Sequence, residues 1–142
     1  MAKRLFAALC VAAMLLGAPA GGGSVRIAVI VHRDRKDALD ASTVASLYLR
    51  QRRFWEDGTP VIPLNREAGS SLREEFSRRV FGAGSDQMSV YWNERYFHGV
   101  LPPATLSSSA AMKRFIAAER NAIGYVEAEA ADDSVRVALI LN

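Results

Sequence analysis

The chain has 142 residues, with 18 Lys and Arg, 15 Asp and Glu and a formal charge of +3, a length suited to one domain with a core of two or three layers. One cysteine and two histidines exclude a disulfide framework and argue against a metal site or histidine-based catalysis.

The first segment predicts export. Met1-Ala-Lys-Arg4 is basic, Leu5 to Gly17 is apolar, and Ala18-Pro19-Ala20 offers small residues for cleavage, the three parts of a secretory signal peptide over residues 1–20. The apolar run falls short of the roughly 20 residues of a membrane span. Cys10 lies inside this run after Leu9, so it reads as a residue removed with the peptide and not as a lipid anchor. Removal of Lys3 and Arg4 takes the charge from +3 to +1, which gives little long-range pull on nucleic acid. The expected location is the periplasm. The working domain is then residues 21–142, without cysteine and held by its core alone.

Gly21-Gly-Gly-Ser24 reads as a flexible leader. Val25 to Val31 is β-branched and almost continuously apolar, as in a strand buried on both faces. After a polar connection, His32 to Asp37, Asp40 caps a helix to about Gln51 with Val44, Leu47 and Tyr48 on one side. Asp57-Gly58 makes a turn, and Thr59 to Leu64 is a strand whose Pro60 and Pro63 predict an edge position or a short strand. A helix to about Phe81 carries Leu72, Phe76 and Val80 at i, i+4 and i+8, closed by Gly82 and Gly84. Ser85 caps another helix with Met88, Tyr91, Trp92 and Tyr96, aromatics that read as core. His98 to Pro103 is a loop. A fourth helix runs from about Ser108 to Glu119 with Met112, Phe115 and Ile116 inward. Ala122 to Val126 is a strand in which Gly124 permits close approach, and Val135 to Leu141 is the last strand. The order β-α-β-α-α-α-β-β predicts an α/β sandwich, helices packed on a mixed or mainly parallel sheet.

One stretch carries ligand chemistry. Between the second strand and its helix stand Arg66, Gly69, Ser70, Ser71 and Leu72. A helix start presents unpaired N–H groups and a positive dipole end, and an Arg fork matches oxyanion geometry. The competing account is structural: Ser71-Leu-Arg-Glu74 has capping-box spacing, and Arg66 pairs with Glu67 or Glu74 at the surface. Both hold if Ser70 faces ligand while Ser71 caps. Glu127 and Glu129 read as solvated. The Arg50-Gln-Arg-Arg53 cluster reads as a solvated helix end, and no G-x-S-x-G elbow or His/Asp set points to an enzyme.

Three segments together resemble the phosphate-binding-protein family, periplasmic substrate-binding receptors that deliver phosphate to ABC transporters. They are Leu47 to Trp55 with Asp57-Gly58, Asn65 to Phe76, and Asn121-Ala-Ile-Gly-Tyr-Val126. The resemblance spans residues 40 to 127 and departs from the family's Ser-Gly-Thr helix start, which here reads Ser70-Ser71-Leu72. It implies a three-layer sandwich of mixed sheet and helices, like one lobe of a type 2 periplasmic binding protein. It also implies a non-enzymatic protein without cofactor. Phosphate or a similar oxyanion would be held by Arg66, Gly69, Ser70, Ser71 and Leu72, in a role linked to phosphate transport. A homodimer or an envelope partner would cover the open face. The alternative is an interaction module without ligand, serving an envelope transporter, porin or sensor protein.

Overall fold

The computed structural model describes residues 23–142; the expected signal peptide, residues 1–20, lies outside the described residues. The elements run β1 (Ile27–His32), α1 (Ala41–Tyr48), β2 (Ile62–Arg66), α2 (Ser71–Phe81), α3 (Ser85–Phe97), β3 (Ala104–Leu106), α4 (Ser109–Ala118), β4 (Ala122–Glu127) and β5 (Val135–Leu141), with a 3₁₀ turn at Ala128–Ala130. The five strands form one sheet in the order β3-β2-β4-β1-β5. β2 is parallel to β3 and to β4, while β1 is antiparallel to β4 and β5. The sheet is therefore mixed. No helix among the described residues is long and apolar enough to cross a membrane.

The period-2 alternation of strands divides the core into two layers. Ile27, Val29 and Val31 face one way with Ile123 and Tyr125, and meet Val44, Leu47, Tyr48, Leu72 and Phe76 of α1 and α2. Ala28, Ile30, Ala122 and Val126 face the other way and meet Met112 and Ile116 of α4. This is the expected three-layer sandwich. Phe76 stacks flat on Tyr125 with centroids 3.8 Å apart, which joins α2 to the middle of the sheet. On the opposite face, a Cβ on Gly124 would collide with Met112 Sδ and lie 2.7 Å from Ile116 Cδ1. Gly124 therefore lets α4 sit close, as expected.

Several elements depart from the sequence reading. β3 occupies part of what reads as loop and irregular chain, because three residues after two prolines give no pattern to detect. β2 is short, at five residues, but it is not at the edge: it lies between β3 and β4 with Pro63 inside it. Ile62 donates its N–H to Asn121 on the β4 side, so Pro63 turns its missing N–H to the other side, where β3 pairs only from Leu64 onward. No ladder bond is lost there. α1 ends at Tyr48, short of Gln51, because Arg50 takes a left-handed conformation at φ 61° and the N–H groups of Gln51 and Arg52 turn back to Ser46 O. Phe115 and Tyr96, expected inward, are exposed. Of α3 only Met88 is buried; this helix packs on α2.

Candidate oxyanion site

The parallel relation of β2, β3 and β4 brings their carboxyl ends to one edge of the sheet, where open α/β sheets bind ligands. Arg66 ends β2, Ser107 to Ser109 follow β3, and Glu127 ends β4. These residues are in contact. The nearly buried Arg66 guanidinium donates from Nη1 to Ser109 Oγ at 3.1 Å and from Nη2 to Ser107 O at 3.4 Å. Its Nε donates to Glu67 Oε2 at 3.3 Å. Ser109 in turn donates to Glu127 Oε2 at 2.5 Å. The guanidinium beside Glu67 holds that carboxyl below its ordinary range. Arg66 is thus fixed in place, and its pairing with Glu67 is one of the two partners expected from sequence.

The loop below it is also built. Gly69 stands at φ 87°, which a side chain tolerates poorly, and this turn delivers Ser70 to the start of α2. Ser70 is the N-cap, its Oγ accepting from Arg73 N at 3.3 Å. The expected capping box on Ser71 is absent: Ser71 is the first helical residue, exposed, and Glu74 reaches away to accept from Ser85 N and Ser85 Oγ at the start of α3. Ser85 therefore does not cap α3; Gly84 holds that position. The capping role falls to Ser70 and not to Ser71. Ser70 Oγ is engaged by the backbone, and Ser71 is left to face outward. The Leu72 side chain is buried in the core, so only its N–H belongs to the site. Among the described residues no acceptor meets the N–H of Ser71 or Leu72, as at any helix start.

A second helix start faces the same edge. Ser108 caps α4, accepting from Ala111 N at 3.0 Å, and the adjoining Ser109 holds Arg66. Ser71, Leu72, Val25, Glu75 and Glu127 line a groove of about 100 Å³, which joins the α2 start to the Glu127–Ser109–Arg66 chain of contacts. Behind the loop, Arg73 Nη1 donates to Arg66 O at 3.0 Å. Tyr125 donates to Asn65 Oδ1 and its oxygen accepts from Arg66 N at 3.3 Å. Burial pushes the Tyr125 hydroxyl well above its ordinary value, so it remains a neutral donor.

The structure gathers Ser107, Ser109, Glu127 and Arg73 around Arg66 and the α2 start, and none of these four is singled out by the sequence for this edge. The available signal was the repeat of one pattern: Thr105-Leu106-Ser-Ser-Ser109 leads from strand to serine-started helix as Leu64 to Ser71 does. Glu127, read as solvated, is held by Ser109. Among the described residues no three His, Cys, Asp or Glu side chains group to hold a metal.

No family model matches the chain, and no curated protein matches it. Solved structures do. A phosphate transport receptor from Vibrio cholerae superposes with a TM-score of 0.63 at 18% identity, over 79% of this chain and 45% of that one. A substrate-binding protein with bound phosphate from Clostridium perfringens gives 0.61 at 24% identity, over 80% and 44%. PstS from Borrelia burgdorferi gives 0.57 at 12%, over 78% and 44%. The fold is shared with phosphate-transport receptors. The chain spans less than half the length of these proteins, which places its sandwich beside one part of a larger receptor.

Proposed function

We propose that the chain is a non-catalytic, periplasmic oxyanion-binding protein with phosphate as its ligand, exported by the segment 1–20. The observation that carries this reading is one fixed guanidinium held against the start of α4, with the start of α2 sharing a groove with Glu127, at the carboxyl edge of three parallel strands. The N–H groups of Ser71 and Leu72 and the hydroxyl of Ser71 donate to the anion, and Arg66 supplies charge. Ser70 and Gly69 shape the loop. A phosphate ion needs no reaction here; fixed donors suffice for recognition.

The carboxylates decide which anion fits. Glu67 and Glu127 contact the same Arg66–Ser109 pair, and an ionised carboxylate only accepts hydrogen bonds. An anion that carries a proton satisfies them, whereas a fully ionised one meets like charge. Hydrogen phosphate is favoured over sulfate on this ground. A partner chain, either a second copy or an envelope protein, would enclose the open side of the groove, and transport of phosphate would be the associated process.

Isothermal titration of the purified protein with phosphate, sulfate and acetate tests the reading. Saturable phosphate binding is expected, with sulfate and acetate weaker. Arg66→Ala is expected to weaken phosphate at least tenfold, which corresponds to about 1.4 kcal/mol. A folded protein that gives no heat with phosphate sinks the proposal. The alternative of an interaction module without ligand is favoured by a separate observation, an exposed apolar groove away from this edge.

A further inference from the structure

That groove lies where the end of α1 and the Phe54–Pro60 turn meet the chain after α3. It encloses about 350 Å³ between Arg50, Arg53, Phe54, Val61, Val100 and Leu101, and none of the oxyanion-site residues lines it. Val61 is buried and forms part of its floor, while Phe54 and Leu101 stand open at 56% and 60% exposure. Single exposed apolar residues are ordinary on a protein surface; two bulky ones sharing a concave site are not.

The charge at its rim is unmatched. Seven ion pairs of Lys or Arg with a carboxylate occur among the described residues, and none involves Arg50, Arg52 or Arg53. Instead, backbone carbonyls orient these side chains: Arg53 Nε donates to Arg50 O at 3.3 Å and Arg52 Nε to Phe54 O at 3.3 Å. The remaining guanidinium donors pair with no carboxylate among the described residues. Arg50 also occupies the left-handed position that closes a helix, where glycine is the low-strain choice. The dipole of α1 accounts for a cation near that end. It does not account for Phe54 and Leu101 beside it.

We propose that this groove docks a segment of a partner protein in which acidic residues alternate with bulky apolar ones. The apolar side chains fill the space over Val61 between Phe54 and Leu101, and the carboxylates accept hydrogen bonds from Arg50 and Arg53, whose planar forks can donate in bidentate fashion. Charge complementarity selects an acidic chain, and a concave site with a buried floor suits inserted side chains better than a bilayer surface does.

The test uses the purified protein and a short fluorescein-labelled peptide of alternating Glu and Leu, followed by fluorescence anisotropy. The same peptide with Lys for Glu, phosphatidylglycerol vesicles and sedimentation velocity run alongside. Saturable binding of the Glu-Leu peptide is expected, falling with salt, with the Lys-Leu peptide silent. Leu101→Ser and the Arg50→Ala/Arg53→Ala pair are each expected to weaken it about tenfold or more, and Arg66→Ala leaves it unchanged. Arg50→Gly separates structure from recognition: relief of the left-handed strain stabilises the fold while peptide affinity drops. Absence of saturable binding overturns the proposal, as does equal binding of both peptides. Vesicle binding without peptide binding assigns the groove to lipid. Self-association abolished by Leu101→Ser assigns it to a second copy. Either assignment overturns the partner-segment reading.

Discussion

Arg35 shows how much one residue contributes to this fold. Its side chain is buried, and each nitrogen has a partner: Nε donates to Arg120 O at 3.0 Å, Nη1 to Asp37 at 2.9 Å, and Nη2 to Asn121 at 3.0 Å and Thr59 at 3.3 Å. Its carbon lies 4.2 Å from the centre of the Trp55 ring, and Trp55 itself donates to Asn121 O. The residue thus ties the end of β1, the Trp55 turn and the start of β4 together. Removing one partner of a buried ion pair strands the other. Arg35→Ala is expected to cost about 3 kcal/mol in urea denaturation, near the low end of the roughly 3–5 kcal/mol for breaking a buried pair, because Asp37 retains the Glu56 N–H. Burial pushes the Asp37 carboxyl up, but the Glu56 N–H and the Arg35 guanidinium outweigh it and hold the group below its ordinary value. A lowered folded value means stability that is present above the unfolded value of about 3.9 and lost as pH falls through the folded one. Thermal unfolding of Asp37→Asn beside the parent is expected to show a shallower loss below about pH 4. None of this is legible in His32-Arg-Asp-Arg-Lys-Asp37, where alternating charges look like a solvated connection. Nothing local distinguishes Arg35 from Arg33; only the chain folding around it does.

The start of α2 is the element on which the sequence reading turns. Two adjacent serines before an amphipathic run announce a helix start, and the spacing to Glu74 favours Ser71 as the cap. Tertiary structure overrides that spacing, because the start of α3 presents Ser85 N–H and hydroxyl to the same carboxylate. Ser70→Ala is therefore expected to lower stability by about 1 kcal/mol. Ser71→Ala is expected to stay within about 0.5 kcal/mol, while weakening phosphate in titration. Equal stability losses in the two variants would restore the expected box. β3 illustrates a different limit. With three residues it carries no detectable period, and it exists because β2 offers an edge beyond Pro63 for Ala104, Thr105 and Leu106 to pair with.

For the whole molecule, the mixed sheet with helices on both faces depends on how closely each layer can approach. The α1–α2 layer is set by ring packing of Tyr48, Phe76 and Tyr125, and the α4 layer by Gly124. Gly124→Ala forces Met112 and Ile116 outward and is expected to cost about 1–3 kcal/mol, read as a lower unfolding temperature with phosphate affinity little changed. Loss of phosphate binding at unchanged stability would instead place Gly124 in the site. The same topology explains the partial legibility of the site. Arg66 and the α2 start lie within seven residues, so the sequence exposes them as one motif. Ser109 and Glu127 lie 43 and 61 positions beyond Arg66, and only the parallel β2–β3 and β2–β4 pairings bring them to it.

By itself, the sequence determined what is local and periodic: the buried β1, the amphipathic faces of α1 and α2, the inward Met112 and Ile116 of α4, the Gly124 approach, the last strand over Val135 to Leu141 and the helix start after Arg66. These follow from side-chain spacing along one segment, which hydrophobic burial and backbone hydrogen bonding read directly. Tertiary structure alone decided the rest. It chose which serine caps α2, made a strand of Ala104 to Leu106, placed proline-bearing β2 inside the sheet, buried Arg35 and joined Ser109 and Glu127 to Arg66. Each of those outcomes depends on a partner distant in the chain, and hydrogen-bond donors and acceptors carry no mark of which distant group they will meet.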